Sequence, residues 1–270
     1  MTDDTYDTDR GADAALTAAA FGSAPGTWPL PPGTTPRRLW LRAVAAGGQG
    51  RFASAGADLA VLLRRAPAGR WASLAHSAQG SFLRQLGGHA LARGRDGRAL
   101  ALAGEDPEAV ADALVGLAAD ALGVGRFTVS TALLARVDAL PEARSSAAGR
   151  LAVRRGWVGA ELAMATGDGP AAVRYARSAL ELTTELTARH RVKSQVVLAA
   201  ALCCAGSPER ARDVADTALE AAGRLGLVPL RWALACLLVD VGSATHTSEQ
   251  VRAIREHCDE VVRRRGGNWQ

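Results

Sequence analysis

Two stretches of the chain repeat one another: GDGPAAVRYARSALEL at residues 167–182 and GSPERARDVADTALEA at residues 206–221. Each begins with a glycine, and alanines follow five, nine and twelve residues later, before a shared Leu-Glu pair. Alanines at these offsets lie on one stripe of a helix, where small side chains let a neighbouring helix approach closely. The glycine can end one helix and form the tight turn into the next. This internal repeat, with a period of 39 residues, predicts stacked helical hairpins.

The same spacing indicates two further copies. One consists of Gly48, Ala53, Ala57 and Ala60, and a looser one of Gly104, Ala109, Ala113 and Gly116. From residue 36 onward, apolar residues recur at intervals of three and four, and no run alternates with a period of two. The pattern predicts helices near residues 36–47, 50–65, 70–93, 106–123, 127–139, 142–166, 169–187, 190–205, 207–225, 228–242 and 248–265. We therefore predict an all-α fold, an α-solenoid of about eleven helices in five or six antiparallel hairpins, over residues 36–270.

Residues 1–35 differ in composition from the rest of the chain. The start, MTDDTYDTDRGADA, is acidic and poor in large apolar groups, and four prolines follow between residues 29 and 36. Such a composition is typical of chain that cannot bury enough apolar surface to fold. We expect residues 1–35 to form a disordered acidic, proline-rich leader, with a proline-rich ligand for another domain as the alternative.

Charge is unevenly distributed along the 270 residues, whose formal net charge is +5. Residues 1–33 carry a net charge of −4, whereas residues 34–104, with eleven Arg and two Asp, carry +9. This basic block could attract an acidic protein, a nucleic acid or the acidic leader of the same chain, or it could be a solvated helical surface. Lys193 is the single lysine, and this preference for arginine is typical of a GC-rich bacterial genome.

The residues of the repeat resemble the second helix of a tetratricopeptide repeat. That family has a turn glycine, an alanine five residues later, a small or aromatic residue nine later, and Ala-Leu at twelve and thirteen. The copies that begin at Gly167 and Gly206 fit this pattern, although their period exceeds the family's period of about 34 residues. The resemblance implies a protein-binding solenoid in which the first helix of each pair lines a concave surface.

A first candidate site is the segment RHRVKSQ, residues 189–195, which opens a helix whose remainder is apolar on all sides. Because an apolar helix is buried between neighbours, its basic first turns must emerge at one end or line a groove. By the resemblance, these side chains contact an acidic peptide or a terminal carboxylate; the alternative is a solubilising helix end. The candidate partner-binding residues here are Arg189, Arg191, Lys193, Ser194 and Gln195.

A second candidate site is a polar stripe within residues 70–95. At helical spacing it contains Ser73, Ser77, Ser81, Arg84, Gln85 and Gly88. Such a stripe could read a peptide backbone or a small polar ligand, with Arg84 and Gln85 as the binding residues. It could equally be the exposed face of an amphipathic helix.

We expect a protein without catalytic activity. The sequence contains no HExxH, GxSxG or GxxxxGK[ST] motif, and its four cysteines show no spacing of a zinc or redox site. We therefore predict no catalytic residue, no cofactor and no metal ion. The longest apolar run, residues 196–205, is too short to cross a bilayer, which predicts a cytoplasmic protein that contacts no membrane.

Together these observations predict a protein–protein interaction scaffold or regulatory adaptor. An arginine-lined concave surface would dock an acidic segment of a partner protein. The alternative is a regulator that binds nucleic acid or a small signal ligand through residues 34–104. Nucleic acid is the less favoured partner, because aromatic residues make up only 4% of the chain and are too scattered for a base-stacking platform.

Overall fold

The computed structural model describes residues 3–140, 149–183 and 188–270, with side chains from residue 10 onward. These residues form thirteen α-helices, and no β-strand occurs among them. The helices are α1 (Asp3–Phe21), α2 (Pro36–Gly48), α3 (Phe52–Arg65), α4 (Gly69–Gln85), α5 (His89–Leu102), α6 (Pro107–Gly123), α7 (Phe127–Asp138), α8 (Gly149–Ala165), α9 (Gly169–Glu181), α10 (Ala188–Cys204), α11 (Pro208–Arg224), α12 (Val228–Val241) and α13 (Ser248–Arg264).

From α2 onward, consecutive helices pair into six hairpins, from α2–α3 to α12–α13. The even-numbered helix of each hairpin also packs against the even-numbered helices before and after it, and these form an inner layer. The odd-numbered helices lie outside that layer. The all-α fold is confirmed, and successive pairing of this kind is consistent with the predicted α-solenoid.

The structure has thirteen helices where we predicted about eleven. One addition is α1. The other arises because the helix predicted over residues 70–93 ends at Gln85, and α5 begins at His89. Gly87 makes the turn between them with φ +88°, a conformation that glycine adopts without strain. Residues 142–148 of one predicted helix and 184–187 of another lie outside the described residues.

A single register relates five of the outer helices. The glycines before α3, α5, α7, α9 and α11 all have φ between +74° and +88°: Gly50, Gly87, Gly125, Gly167 and Gly206. Side chains five, nine and twelve residues after each glycine are at most 4% exposed. They are Ala55, Leu59 and Leu62; Ala92, Asp96 and Ala99; Ser130, Leu134 and Val137; Ala172, Ala176 and Ala179; and Ala211, Ala215 and Ala218. The repeat is therefore the glycine turn and the buried stripe that follows it.

The two weaker copies in the sequence prediction are placed differently in the structure. Gly48 lies inside α2, and Ala53, Ala57 and Ala60 are exposed, so that copy was wrong by two residues. The turn is made by Gly50, and larger side chains fill the stripe that follows it. In the copy from Gly104, the alanines are buried, but they lie on the inner helix α6 instead of on an outer helix.

Residues 10–35 pack against the first hairpin, which differs from the disordered leader that we expected. Leu16, Ala19 and Ala20 of α1 are buried, because this alanine-rich half of the segment has an apolar face that its acidic start obscured. The Gln49 side-chain amide donates hydrogen bonds of 2.8 and 2.9 Å to two backbone carbonyl oxygens just before the proline-rich stretch. Asp13 accepts a 2.8 Å hydrogen bond from Arg38, so acidic leader and basic block meet within one chain.

Contacts between distant parts of the chain close the inner layer into a ring. The Ala53 amide donates to the Arg265 carbonyl at 3.0 Å, and the Gln270 amide donates to the Leu86 carbonyl at 2.9 Å. On another side, the Ala188 amide at the start of α10 donates to the Gly22 carbonyl at 3.3 Å. The later hairpins are thereby held against α1–α4, and the concave side of the solenoid becomes a partly enclosed space.

The register can be tested with two alanine-to-leucine substitutions. Ala215→Leu adds volume at a position that is 0% exposed, and we expect it to lower the free energy of unfolding by about 1–3 kcal/mol. Ala57→Leu adds the same volume on an exposed surface of α3 and should change it by less than about 0.5 kcal/mol. Urea denaturation measures both. Equal effects of the two substitutions would contradict the register that begins at Gly50.

Candidate ligand-binding cavity

A cavity of about 470 Å³ lies within the ring of inner helices. All six inner helices contribute to its lining, together with Phe21 of α1 and His89 of α5. Its volume falls within the range of about 300–1,000 Å³ that is typical of small-molecule sites. The cavity is the concave surface of the solenoid, partly enclosed by the contacts that close the ring.

One wall is formed by the face of α8 that carries Arg150, Arg154, Trp157 and Glu161. These residues are four, three and four positions apart, which places them on one side of the helix. Arg150 donates to Glu108 at 2.9 Å and to Asp112 at 3.0 Å, both of α6. Arg154 forms an ion pair with the same Asp112 carboxylate. The two arginines are thus held by carboxylates from the neighbouring inner helix.

The first turn of α10 adds Arg189, whose surroundings differ from those of the α8 arginines. Its Nη1 donates to the Val44 carbonyl at 2.9 Å, and within the described ranges no carboxylate lies at ion-pair distance. A Cβ at position 48 would come within 2.8 Å of this Nη1, so Gly48 provides the space for the guanidinium. Burial, and then the positive charge of Arg150, lower the pKa of Arg189 to about 10.

His190 lies beside Arg189 and is 4% exposed. Its ring stacks on Trp157 with centroids 5.5 Å apart and lies 6.0 Å from Phe21. Burial and the neighbouring arginines hold the pKa of His190 well below its usual range, so the imidazole is neutral. Its Nδ1 is buried and has no hydrogen-bond partner among the residues that the structure describes.

Arg84 reaches the cavity from α4 and is held by two buried carboxylates. Its Nη1 donates to Asp120 at 2.8 Å and also to Asp96, and both carboxylate side chains are 0% exposed. Gly80 and Gly116 leave room for Asp96, because a Cβ at either position would overlap its oxygens. Burial raises the pKa of Asp96 to about 7 against the opposing effect of Arg84. Burial also raises the pKa of Asp120, and one buried oxygen of each carboxyl group, Oδ1 of Asp96 and Oδ2 of Asp120, has no hydrogen-bond partner among the described residues.

Four of the seven predicted site residues line this cavity: Arg84, Gln85, Arg189 and Lys193. Lys193 forms an ion pair with Glu161 at 3.2 Å. Ser194 is buried behind the lining, where its hydroxyl accepts a 2.8 Å hydrogen bond from the Trp157 indole. Arg191 is exposed and Gln195 half-buried, and neither belongs to the lining.

The serine stripe of α4 is only partly an exposed helix face. Ser73 and Ser77 are buried, and the Ser73 hydroxyl donates to the Ala99 carbonyl at 2.8 Å. Ser77, Ser81 and Gln85 line the cavity, and Gln85 is the exposed end of the stripe. The stripe therefore faces α5 and the cavity, which contradicts the alternative of a fully solvated face.

Sequence reasoning missed Arg150, Arg154 and Trp157, although their spacing on one helix face is visible in the sequence. It also missed Asp96. In the register that begins at Gly87, this aspartate occupies the ninth position, where the other four outer helices carry Ala or Leu. A carboxylate in a slot otherwise filled by apolar residues is a signal that the correct register would have revealed.

In comparisons of the sequence with protein-family models and with curated proteins, none matches this chain. In the described ranges, no helix has the length and apolar character required to cross a bilayer. The same ranges contain no group of three His, Cys, Asp or Glu side chains that could hold a metal ion.

The raised pKa of Asp96 predicts an unusual dependence of stability on pH. Folded Asp96 keeps its proton up to about pH 7, whereas an unfolded aspartate loses it near pH 4. The folded state therefore binds more protons between these values, and this group's contribution to the free energy of unfolding falls as pH rises, by at most about 1.4 kcal/mol per pH unit.

We expect Asp96→Asn to remove this component. The wild-type free energy of unfolding minus that of the variant should fall between pH 5 and pH 7.5, as measured by urea denaturation. Asp13→Asn is the control. Because Arg38 lowers the pKa of Asp13, that carboxylate is ionised over the whole interval, and its substitution should give a difference that does not change with pH. A flat difference for Asp96→Asn would show that Asp96 is ionised in the folded protein.

Proposed function

We propose that this protein is a non-catalytic binding protein that takes a small acidic ligand in the cavity within its ring of helices. One observation carries the proposal: Arg189 brings a positive charge to the cavity with no carboxylate to balance it among the described residues. A guanidinium that is partly withdrawn from water is costly to leave unpaired, and an acidic ligand would supply the missing partner.

The other cations of the lining support this interpretation because each already has a partner. Arg84 is held by two buried aspartates, Arg150 and Arg154 by carboxylates of α6, and Lys193 by Glu161. Arg189 is thus the excess charge of the network. The guanidinium offers a planar fork of donors that matches a carboxylate, sulfonate or phosphate group.

The neutral His190 is a second feature that supports a ligand. Its buried Nδ1 lacks a hydrogen-bond partner among the residues described, and an unsatisfied buried polar atom usually marks a missing donor or acceptor. A ligand bound at Arg189 would lie beside this ring. The pairing of the other charged groups, and the stacking of His190 against Trp157, favour binding over catalysis.

The closure of the ring favours a small molecule over a protein segment. An open concave surface can accept an extended peptide, whereas a cavity of about 470 Å³ has the size of a small-molecule site. The acidic partner segment that we predicted from sequence shares the same anionic chemistry, so an acidic peptide is one of the compounds to test.

Nucleic acid receives less support as a partner. Within the basic block of residues 34–104, five of the eleven arginines form ion pairs within the chain, which reduces the positive charge left for phosphates. They are Arg37, Arg38, Arg42, Arg70 and Arg84. Of the C-terminal arginines, Arg263 and Arg264 pair with carboxylates one helical turn earlier, and Arg265 donates to the Gln49 carbonyl at 2.8 Å.

The proposal is tested by thermal unfolding with acids and their neutral counterparts. We expect at least one of benzoate, succinate and phenyl phosphate to raise Tm, while benzamide and succinamide do not, since a ligand stabilises only the state that binds it. Arg189→Gln should weaken binding by about 10- to 100-fold, the value of a charge-assisted hydrogen bond. The same measurement with a capped acidic hexapeptide tests the alternative partner, an acidic protein segment, which would raise Tm if it binds.

Arg177→Gln is the matched control, because it removes the same charge from the exposed surface of α9. The unliganded Arg189→Gln protein should unfold at the wild-type temperature or above it, since the substitution removes an unbalanced charge. The proposal fails if neutral and acidic compounds raise Tm equally, or if Arg189→Gln keeps the response of the wild type.

A further inference from the structure

The cavity has a second wall that is largely apolar. Helices α2, α4 and α12 contribute Trp40, Val44, Leu74, Phe82, Leu230 and Trp232. This wall differs from the arginine-bearing surfaces of α8 and α10. A ligand that bears only charge would leave the apolar wall in contact with water, whereas a ligand that covers the wall gains the free energy of burying apolar surface.

Aromatic residues are concentrated in this cavity. The chain contains four Phe, six Trp and two Tyr, and five of these line the space: Phe21, Trp40, Phe82, Trp157 and Trp232. The 27 lining residues are one tenth of the 270 residues, so aromatic side chains occur there far above their share of the chain. Aromatic walls favour ring-containing ligands, because offset or edge-to-face ring pairs stabilise a complex beyond the burial of their surface area.

The aromatic side chains are held in place by other rings. Trp269 stacks on Trp232 with centroids 4.0 Å apart, and Trp71 lies 6.1 Å from Trp40. Phe82 contacts Phe52 edge-on at 5.7 Å. These supports fix one side of each ring, so that the lining ring is presented to the cavity in a defined orientation. A preformed apolar wall of this kind loses little side-chain entropy when a ligand binds.

The charged and apolar walls meet at Arg189. Its Nη1 donates a hydrogen bond to the carbonyl of Val44, which belongs to the apolar wall. Its guanidinium lies 5.9 Å from the Phe21 ring. The unbalanced charge is therefore at the edge of the aromatic surface. A molecule that fills both environments needs one anionic group joined directly to a flat apolar body.

Resting on the small-ligand function proposed above, we infer that the ligand is an aromatic acid: one carboxylate, sulfonate or phosphate group carried on a body of one or two rings. Arg189 holds the anionic group. The rings lie against the side chains of α2, α4 and α12. The free acid and an anionic ester of the same ring system share this chemistry.

Three probes separate charge from ring content. 8-Anilinonaphthalene-1-sulfonate carries both, N-phenyl-1-naphthylamine has the same rings without charge, and methanesulfonate has the charge without rings. We expect 8-anilinonaphthalene-1-sulfonate to bind the folded wild-type protein with 1:1 stoichiometry, as measured by its fluorescence. The neutral amine should bind at least tenfold more weakly, and methanesulfonate should not displace the aromatic sulfonate at tenfold excess.

Two variants locate the binding. Arg189→Gln should weaken binding of the aromatic sulfonate at least tenfold, and Leu230→Gln, which makes the apolar wall polar, at least threefold. Arg177→Gln and Leu182→Gln are the controls, since both residues are exposed and lie outside the cavity. Far-UV circular dichroism and cooperative thermal unfolding show that each variant is folded.

The outcomes separate this inference from the proposed function. If methanesulfonate displaces the aromatic sulfonate and Leu230→Gln binds it normally, the cavity takes anions without a ring requirement, and only the inference is overturned. If the neutral amine binds as tightly as the sulfonate and Arg189→Gln has no effect, the anion site itself is absent and both fail.

Discussion

The cavity exists because the solenoid closes on itself. Six hairpins in succession would present an open concave surface, but three backbone hydrogen bonds join late parts of the chain to early ones. The Arg265 carbonyl accepts from α3, the Gln270 amide reaches Leu86 after α4, and the amide at the start of α10 reaches Gly22 after α1. These contacts set how far α12 lies from α2 and α4. The position of Arg189 depends on the same closure, because its partner is a carbonyl of α2.

Closure changes the energetics of every charge on the inner helices. An ion pair on an exposed helix face contributes little, whereas charges withdrawn from water must be matched closely. The protein meets this requirement with carboxylates from adjacent inner and outer helices, and it does so for Arg84, Arg150 and Arg154. At Arg84 two aspartates face one guanidinium, and burial raises the pKa of Asp96 to about 7, which favours its protonated form below that pH. At Arg189 the imbalance has the opposite sign, and no group described in the structure corrects it.

Much of the fold follows from residues visible in the sequence. The copies beginning at Gly167 and Gly206 gave the correct register because alanine fills all three buried positions. The copy beginning at Gly50 was misplaced by two residues, since leucines fill two of its positions and exposed alanines nearby imitate the pattern. The helix α1 was missed because an acidic start outweighed the apolar face of residues 14–20. A sequence pattern shows where small residues are frequent, but it does not show which of them are buried.

The candidate site was harder to predict, because its parts come from helices that the sequence separates by more than a hundred residues. Arg84 and Arg189 were each recognised as unusual on their own helix, but only closure of the ring places both in one cavity. Asp96 departs from the apolar pattern of the repeat. Its position is structural in the repeat, and the neighbouring glycines at 80 and 116 have no side chain to occupy the space of its carboxylate. Gly80, Asp96 and Gly116, on three different helices, thus depart together from what packing alone requires. They lie beside Arg84, which lines the cavity. A departure of this kind from the repeat is better explained by the chemistry of the cavity than by the stability of the scaffold, because an alanine at position 96 would satisfy the packing without burying a carboxylate.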